Sequence, residues 1–336
     1  MPRPAPRGQG KTVSTSADAR LVLPDLSRLE DWLGAQPSDP FSRQVDQAFA
    51  GQHLDGSWGS GDDPVRRVLP TLWMAKVLGE LGHAHDPRWS TAADFLIRTA
   101  HTDDDVFSVD GRRSGVLSCY VGTAAEVYLR GGRDDAARPQ IEWVVRYQDL
   151  RCGGASRRHA PVPVWSPDLA WRYGGCLADS TCLIGLVKGG LALLAWQQAH
   201  GQDAAGAALL QQIVDTLLER ELFKASSGEP VALGTPPGRP GAWLEPTYPL
   251  DWHTDLIEVV HLVAQARGPD PRMQAALDRL AAQQLSDGSW PLRRTFRPID
   301  LPLLERRSAT RGSLLVSRRA HRALSALAGP AVPLPS

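Results

Sequence analysis

The sequence predicts an all-helical fold, an α/α toroid of about five or six helix hairpins closed into a double ring. Three observations predict it: a segment that recurs with a period near 48 residues, an alternation of one-sided helices with nearly all-apolar ones, and no run with the two-residue alternation of a sheet strand.

The recurring segment comes first. Gln52-His53-Leu54-Asp55-Gly56-Ser57-Trp58 returns as Gln284-Leu285-Ser286-Asp287-Gly288-Ser289-Trp290, and weaker copies lie between them at His101 to Phe107 and at Gln148 to Gly154. The steps from Gln52 to His101 and on to Gln148 are 49 and 47 residues, the spacing of stacked helix-pair repeats. An Asp-Pro pair precedes three of the copies by 13 to 15 residues, at Asp39-Pro40, Asp86-Pro87 and Asp270-Pro271. Aspartate caps free N–H groups and proline fits the first helical position, so each pair marks the start of a helix that ends at the motif. Such helices are one-sided: Met273, Leu277 and Leu280 fall on one face, with Arg272, Asp278 and Arg279 opposite.

The helices after each motif are different. Leu69 to Leu81, Cys182 to Trp196 and Leu256 to Val263 are apolar around most of their circumference and need cover on several sides. Apolar helices inside and amphipathic helices outside give two concentric rings, with inner helices expected near 68–81, 116–130, 180–198, 252–266 and 314–328. A further pair begins with Leu26 to Leu33. Repeat architectures grow around one continuous core, so a single domain over 23–328 is expected, between tails at 1–22 and 329–336, the first of them disordered.

Composition bounds the partners. Of 336 residues, 37 are basic and 37 acidic, which gives no global pull toward nucleic acid or an anionic membrane. The longest apolar run, Cys182 to Trp196, has 15 residues and is broken by Lys188, whereas a membrane span needs about 20. No transmembrane segment is expected. Four irregularly spaced cysteines without a secretory signal fit a reducing cytoplasm.

The motif Gln-x-x-Asp-Gly-Ser-Trp resembles the QW motif of squalene-hopene cyclases and the related repeats of protein prenyltransferase β-subunits. The resemblance covers roughly residues 40 to 328 and implies a structural clasp, in which the glutamine caps a helix end and stacks on the tryptophan. Gly175-Cys176-Leu177-Ala178-Asp179-Ser180-Thr181-Cys182 and Tyr248-Pro249-Leu250-Asp251-Trp252-His253-Thr254-Asp255 further resemble segments of single-domain bacterial terpenoid-cyclase-like proteins, with Ser180 and Leu183 where those relatives carry histidines. The resemblance implies a central cavity that takes an isoprenoid or similar apolar small molecule. The Asp-x-Asp-Asp acid of class II cyclases and the Asp-Asp-x-x-Asp magnesium motif of class I enzymes are both missing from the sequence, and Asp103-Asp104-Asp105 reads as a solvated turn.

Chemistry is expected where inner helices begin, because free N–H groups and positive dipole ends converge there. Asp255, Asp179 and His253 are the candidate catalytic groups; each aspartate serves equally as a helix cap. Trp73, Tyr120, Trp252 and Arg318 are the candidate substrate contacts. Prenyltransferases and lanthipeptide cyclases place zinc ligands at such positions, which by resemblance makes Cys176, Cys182 and His253 a possible zinc site; the competing reading is small buried cysteines packing helix ends. Nine arginines against two acids between 293 and 322 form either a phosphate clamp or a solvated basic face. A zinc-dependent transfer enzyme and a non-catalytic lipid- or partner-binding toroid stand as alternatives to the cyclase-like reading.

Overall fold

The computed structural model describes residues 21–148, 150, 182–201, 203–232, 241–295 and 304–328. The expected tails, Cys176 and Asp179 lie outside these, apart from residues 21 and 22. Eleven α-helices are described: α1 (Leu26–Gly34), α2 (Ser42–Ala50), α3 (Pro64–Glu80), α4 (Pro87–Ala100), α5 (Ser118–Arg130), α6 (Asp134–Tyr147), α7 (Leu183–His200), α8 (Ala204–Glu219), α9 (Leu256–Arg267), α10 (Gln274–Ala281) and α11 (Leu314–Ala328).

The fold is an α/α toroid. Helices α3, α5, α7, α9 and α11 pack in that order as the inner ring, and α4, α6, α8 and α10 pair with them from outside. Helix α1 packs on α11, so the N-terminal hairpin closes the ring against its last member. The core is one continuous apolar cluster between the rings, with Trp58, Trp89, Trp243 and Trp290 fully buried. Inner helices bury almost their whole circumference; in α5 ten of the eleven residues from Ser118 to Tyr128 are buried, Glu126 being the exception.

The aspartate-proline markers work at Asp86 and Asp270, whose carboxylates accept the N–H groups of Arg88 and Arg272. They fail at Asp39. There α2 begins only at Ser42, without a side-chain cap. Asp63-Pro64, a pair with the same chemistry, opens the inner helix α3 four residues earlier than its apolar pattern suggests.

Each residue of the repeated motif has a visible task. Gln52 Nε2 donates to the carbonyls of Gly56 and Arg88, both at 2.8 Å, and Gln284 Nε2 donates to those of Gly288 and Asp25 at the same distance. The glutamine thus ties its own loop to the start of the neighbouring outer helix. Trp58 and Trp290 donate their ring N–H groups to Ala48 and Leu280 in the helix just completed, while their backbone N–H groups reach Thr71 and Ser317 in the next inner helix. Gly56 and Gly288 sit at φ +93° and +89°, and a Cβ there would strike the backbone of Thr91 or Arg28 within 2.5 Å. In the weaker copy at 101–107 the direction reverses: Gln140 of α6 accepts the Phe107 N–H and donates to Asp105.

Close approach of α5 and α7 depends on glycine. A Cβ on Gly122 would lie 2.5 Å from the Lys188 backbone, and one on Gly185 would lie 2.2 Å from Ser118 Oγ.

Candidate functional site

All five inner helices line one cavity of about 380 Å³ inside the ring. Phe41, Val45, Leu81, Leu191, Ile257 and Leu315 give it apolar surface. Contrary to the expectation of an apolar chamber, it also carries nine charged side chains: Asp39, Lys76, Glu80, Glu126, Arg130, Glu258, Arg318, Arg319 and Arg322. Apart from Asp39 they stand on the inner helices: Lys76 and Glu80 on α3, Glu126 and Arg130 on α5, Glu258 on α9 and the three remaining arginines on α11.

Three groups of ion pairs organise this wall. Lys76 Nζ lies 2.9 Å from Glu80 and 3.8 Å from Glu126 on the adjacent helix. Burial works to neutralise the lysine, but Glu126 and Glu80 outweigh it and hold the ammonium well above its ordinary pKa. Burial likewise works to raise the Glu80 carboxyl, and Lys76 and then Arg130 pull it down to about 2. Lys188, fully buried in α7, reaches both oxygens of Glu258 in α9 at 2.7 and 2.8 Å. Burial pushes the Glu258 pKa up, and Lys188 and Lys76 reverse the sign. Arg319 in α11 grips Asp255 with two bonds of 2.8 and 3.0 Å and donates to the Thr247 carbonyl at 2.6 Å.

Two neutral polar groups share the cavity. The Tyr248 hydroxyl is buried beside Glu80, and burial, then the Glu80 charge and its hydrogen bond, raise its pKa well above the phenol range. His261 keeps Nδ1 buried and unpartnered; burial, then Arg322, lowers its pKa to about 4, so the ring is neutral at pH 7.

The residues singled out from sequence are distributed unevenly around this chamber. Arg318 lines it. Asp255 is fully buried as the N-cap of α9, accepting the Glu258 N–H at 3.0 Å, and meets the lumen only through Arg319. His253 is buried beside Asp251, whose carboxylate meets its Nδ1, and Trp252 stacks on the imidazole at a centroid separation of 3.6 Å. Burial lowers the His253 pKa, with Asp251 opposing. Tyr120 is buried in α5 and Trp73 packs against the core from α3; neither is among the residues lining the cavity. Cys182 is the N-cap of α7, its Sγ accepting the Gly185 N–H at 3.4 Å. Among the described residues no three His, Cys, Asp or Glu side chains are grouped to hold a metal ion, and Cys176 lies outside them. Lys76, Glu80, Glu126, Arg130, Glu258 and His261 were not singled out from sequence, whereas Arg322 belongs to the arginine cluster of 293–322. Their signal was present in Lys188, read only as an interruption of an apolar run: a charge inside an apolar inner helix needs a partner across the ring.

No protein-family model matches the sequence, and no curated protein matches it. Among solved structures, the chain is similar to the type II terpene cyclase MstE from Scytonema without ligand, at 16% identity and a TM-score of 0.34, over 90% of this chain and 98% of that one. A variant of that enzyme in complex with the substrate geranylgeranyl dihydroxybenzoate gives 17% identity and a TM-score of 0.32 over 90% and 98%. A protein from Actinoplanes gives 16% and 0.30 over 87% and 99%. Superpositions this loose carry no residue correspondence. No described helix is long and apolar enough to cross a membrane.

Proposed function

We propose that the lumen binds a small molecule with an apolar chain, of isoprenoid or similar kind, and that the described residues hold this ligand rather than protonate it. The observation that carries the first part is the convergence of five inner helices on one cavity of about 380 Å³, within the range of small-molecule sites, with Phe41, Val45, Leu81, Leu191, Ile257 and Leu315 on its walls. The second part rests on the carboxylates. An acid that protonates an alkene must stay neutral in an apolar setting. Glu80 and Glu258 are each held ionised by a lysine, and Asp255 is occupied by Arg319 and by the first turn of α9.

Calorimetric titration with prenyl alcohols of ten to twenty carbons tests this reading. Saturable binding is expected, and Leu191→Trp, which fills the lumen, is expected to weaken it at least tenfold while leaving the helical circular dichroism unchanged. Absence of saturable binding, or binding indifferent to the filled lumen, would overturn the proposal.

A further inference from the structure

The inner ring has a seam. Each inner helix packs on the next from α3 through α5, α7 and α9 to α11, but among the described residues α11 does not pack on α3 in the same way, and α1 lies against α11 instead. The lumen is walled there by the strap between α1 and α2. Ser38, Asp39, Pro40 and Phe41 line it, followed by Val45 in the first turn of α2.

This strap is held weakly. Among the described residues no hydrogen bond or ion pair joins residues 37–40 to any other part of the chain, and α2 packs on no other helix as extensively as the ring helices pack on one another. What anchors it is apolar: Phe41 is buried at 6% exposure, with Val45 beside it in the core.

The strap also carries a helix-start signal that it does not use. Asp86-Pro87 and Asp270-Pro271 each open a helix at the proline, with the aspartate accepting the N–H group two residues on at 2.8 and 2.9 Å. Asp39-Pro40 has the same chemistry, yet α2 begins two residues beyond its proline and no side chain caps it. In the register of the other copies α2 would begin at Pro40, and Asp39 would accept the Phe41 N–H group. Such a shift adds about half a turn to α2, draws the Asp39 carboxylate to the helix end and re-aims Phe41. The present register keeps an aromatic ring buried and leaves the helix start open; the other gains a cap and gives up that burial. Burying an aromatic ring outweighs one cap, so the present register is the resting one.

We propose that the strap at 35–41 is the gate of the lumen, opening at the seam between α3 and α11 when Asp39 takes up the cap of α2 and Phe41 leaves the wall. The gate rests on the lumenal reading above and adds to it the route of entry.

The test uses the whole chain, with association and dissociation rates of a prenyl alcohol read by stopped-flow tryptophan fluorescence. Asp39→Ala removes a cap that only the open register uses; both rates are expected to fall at least threefold, with the dissociation constant within twofold of the parent. Phe41→Ala removes the anchor of the closed register, and association is expected to quicken at least threefold, which the loss of a ligand contact alone does not produce. Thermal melts provide the control. Asp86→Ala, which loses a cap in use, is expected to melt lower than the parent, whereas Asp39→Ala is expected to melt with it. Association rates unmoved in both variants, or moved in the same direction, would overturn the gate, as would a melting loss in Asp39→Ala equal to that of Asp86→Ala. Each of those results leaves the lumenal reading standing if the alcohol still binds saturably. No saturable binding to the parent would sink the lumenal reading and the gate together.

Discussion

Replacing Lys188 with methionine and Glu258 with its apolar near-isostere, singly and together, probes the wall of the lumen most directly. The pair is joined by two bonds of 2.7 and 2.8 Å, and the side chains are 0% and 9% exposed. Breaking a buried pair by removing one partner costs about 3–5 kcal/mol, because a buried charge is left behind, whereas replacing both by apolar groups of similar volume is often neutral. The two single changes are not equivalent here. Lys188→Met leaves Glu258 with a second cation, Lys76, whose charge already acts on it. Glu258→Met leaves Lys188 fully buried with no other carboxylate bonded to it among the described residues. Lys188→Met is therefore expected near the lower end, about 3 kcal/mol, and Glu258→Met near the upper end, about 5 kcal/mol. The double variant should return to within about 1 kcal/mol of the parent, so that the singles are strongly non-additive. Urea unfolding followed by far-UV circular dichroism reads all three. Additive losses, or a larger loss for Lys188→Met than for Glu258→Met, would refute the assignment of Lys76 as second partner.

Three further outcomes follow from the same geometry. Gly122→Ala places a Cβ 2.5 Å from the Lys188 backbone, which cannot yield as a side-chain tip can; urea unfolding should show a loss of about 1–3 kcal/mol or more, and a loss below 0.5 kcal/mol would contradict the close packing of α5 on α7. Gln284→Ala removes the donor shared by Gly288 and Asp25 and should cost about 1–2 kcal/mol, with proteolysis near residue 25 accelerated because the ring closure is loosened. His101, bonded to the Tyr128 hydroxyl at 2.9 Å, is held by burial at a pKa of about 4. Since the unfolded histidine binds its proton first, stability should fall as pH drops from about 6.5 toward 4 and then level, and His101→Gln should flatten that slope in thermal melts across the range.

The two-ring fold was legible in the sequence because helix burial writes itself into periodicity. One-sided helices and apolar ones alternate, and the inner helices α3, α5, α7, α9 and α11 lie within four residues of the spans expected from the sequence at either end. The motif was legible as a clasp, although its glutamine proves to tie its loop to the neighbouring outer helix and its tryptophan to bond backward to the helix just ended. The lumen was far less legible. Attention to helix starts pointed to Asp255, His253, Trp73 and Tyr120, because capping chemistry is local and visible. Lumenal position is set by how far along each helix a residue lies, and that offset differs from helix to helix: Lys76 is just over three turns into α3, Glu258 less than one turn into α9. A sequence gives no common origin for these depths. Arg130 lies at the last residue of α5 and Arg322 in the middle of α11, and only the closed ring brings both to one cavity.

The paired and unpaired charges divide the labour of that cavity. Buried ion pairs are poor sources of stability, since desolvation offsets most of their attraction. Their value lies in what they join. Lys76 links α3 to Glu126 of α5, Lys188 links α7 to Glu258 of α9, and Arg319 links α11 to the cap of α9. Each link crosses between inner helices, so a slip of any one of these helices along its axis strands a buried charge and is penalised far more steeply than a slip between apolar faces. The wall is thereby held in one register. Against such a wall Arg130 and Arg322 feel the attraction of Glu80 without an ion pair among the described residues.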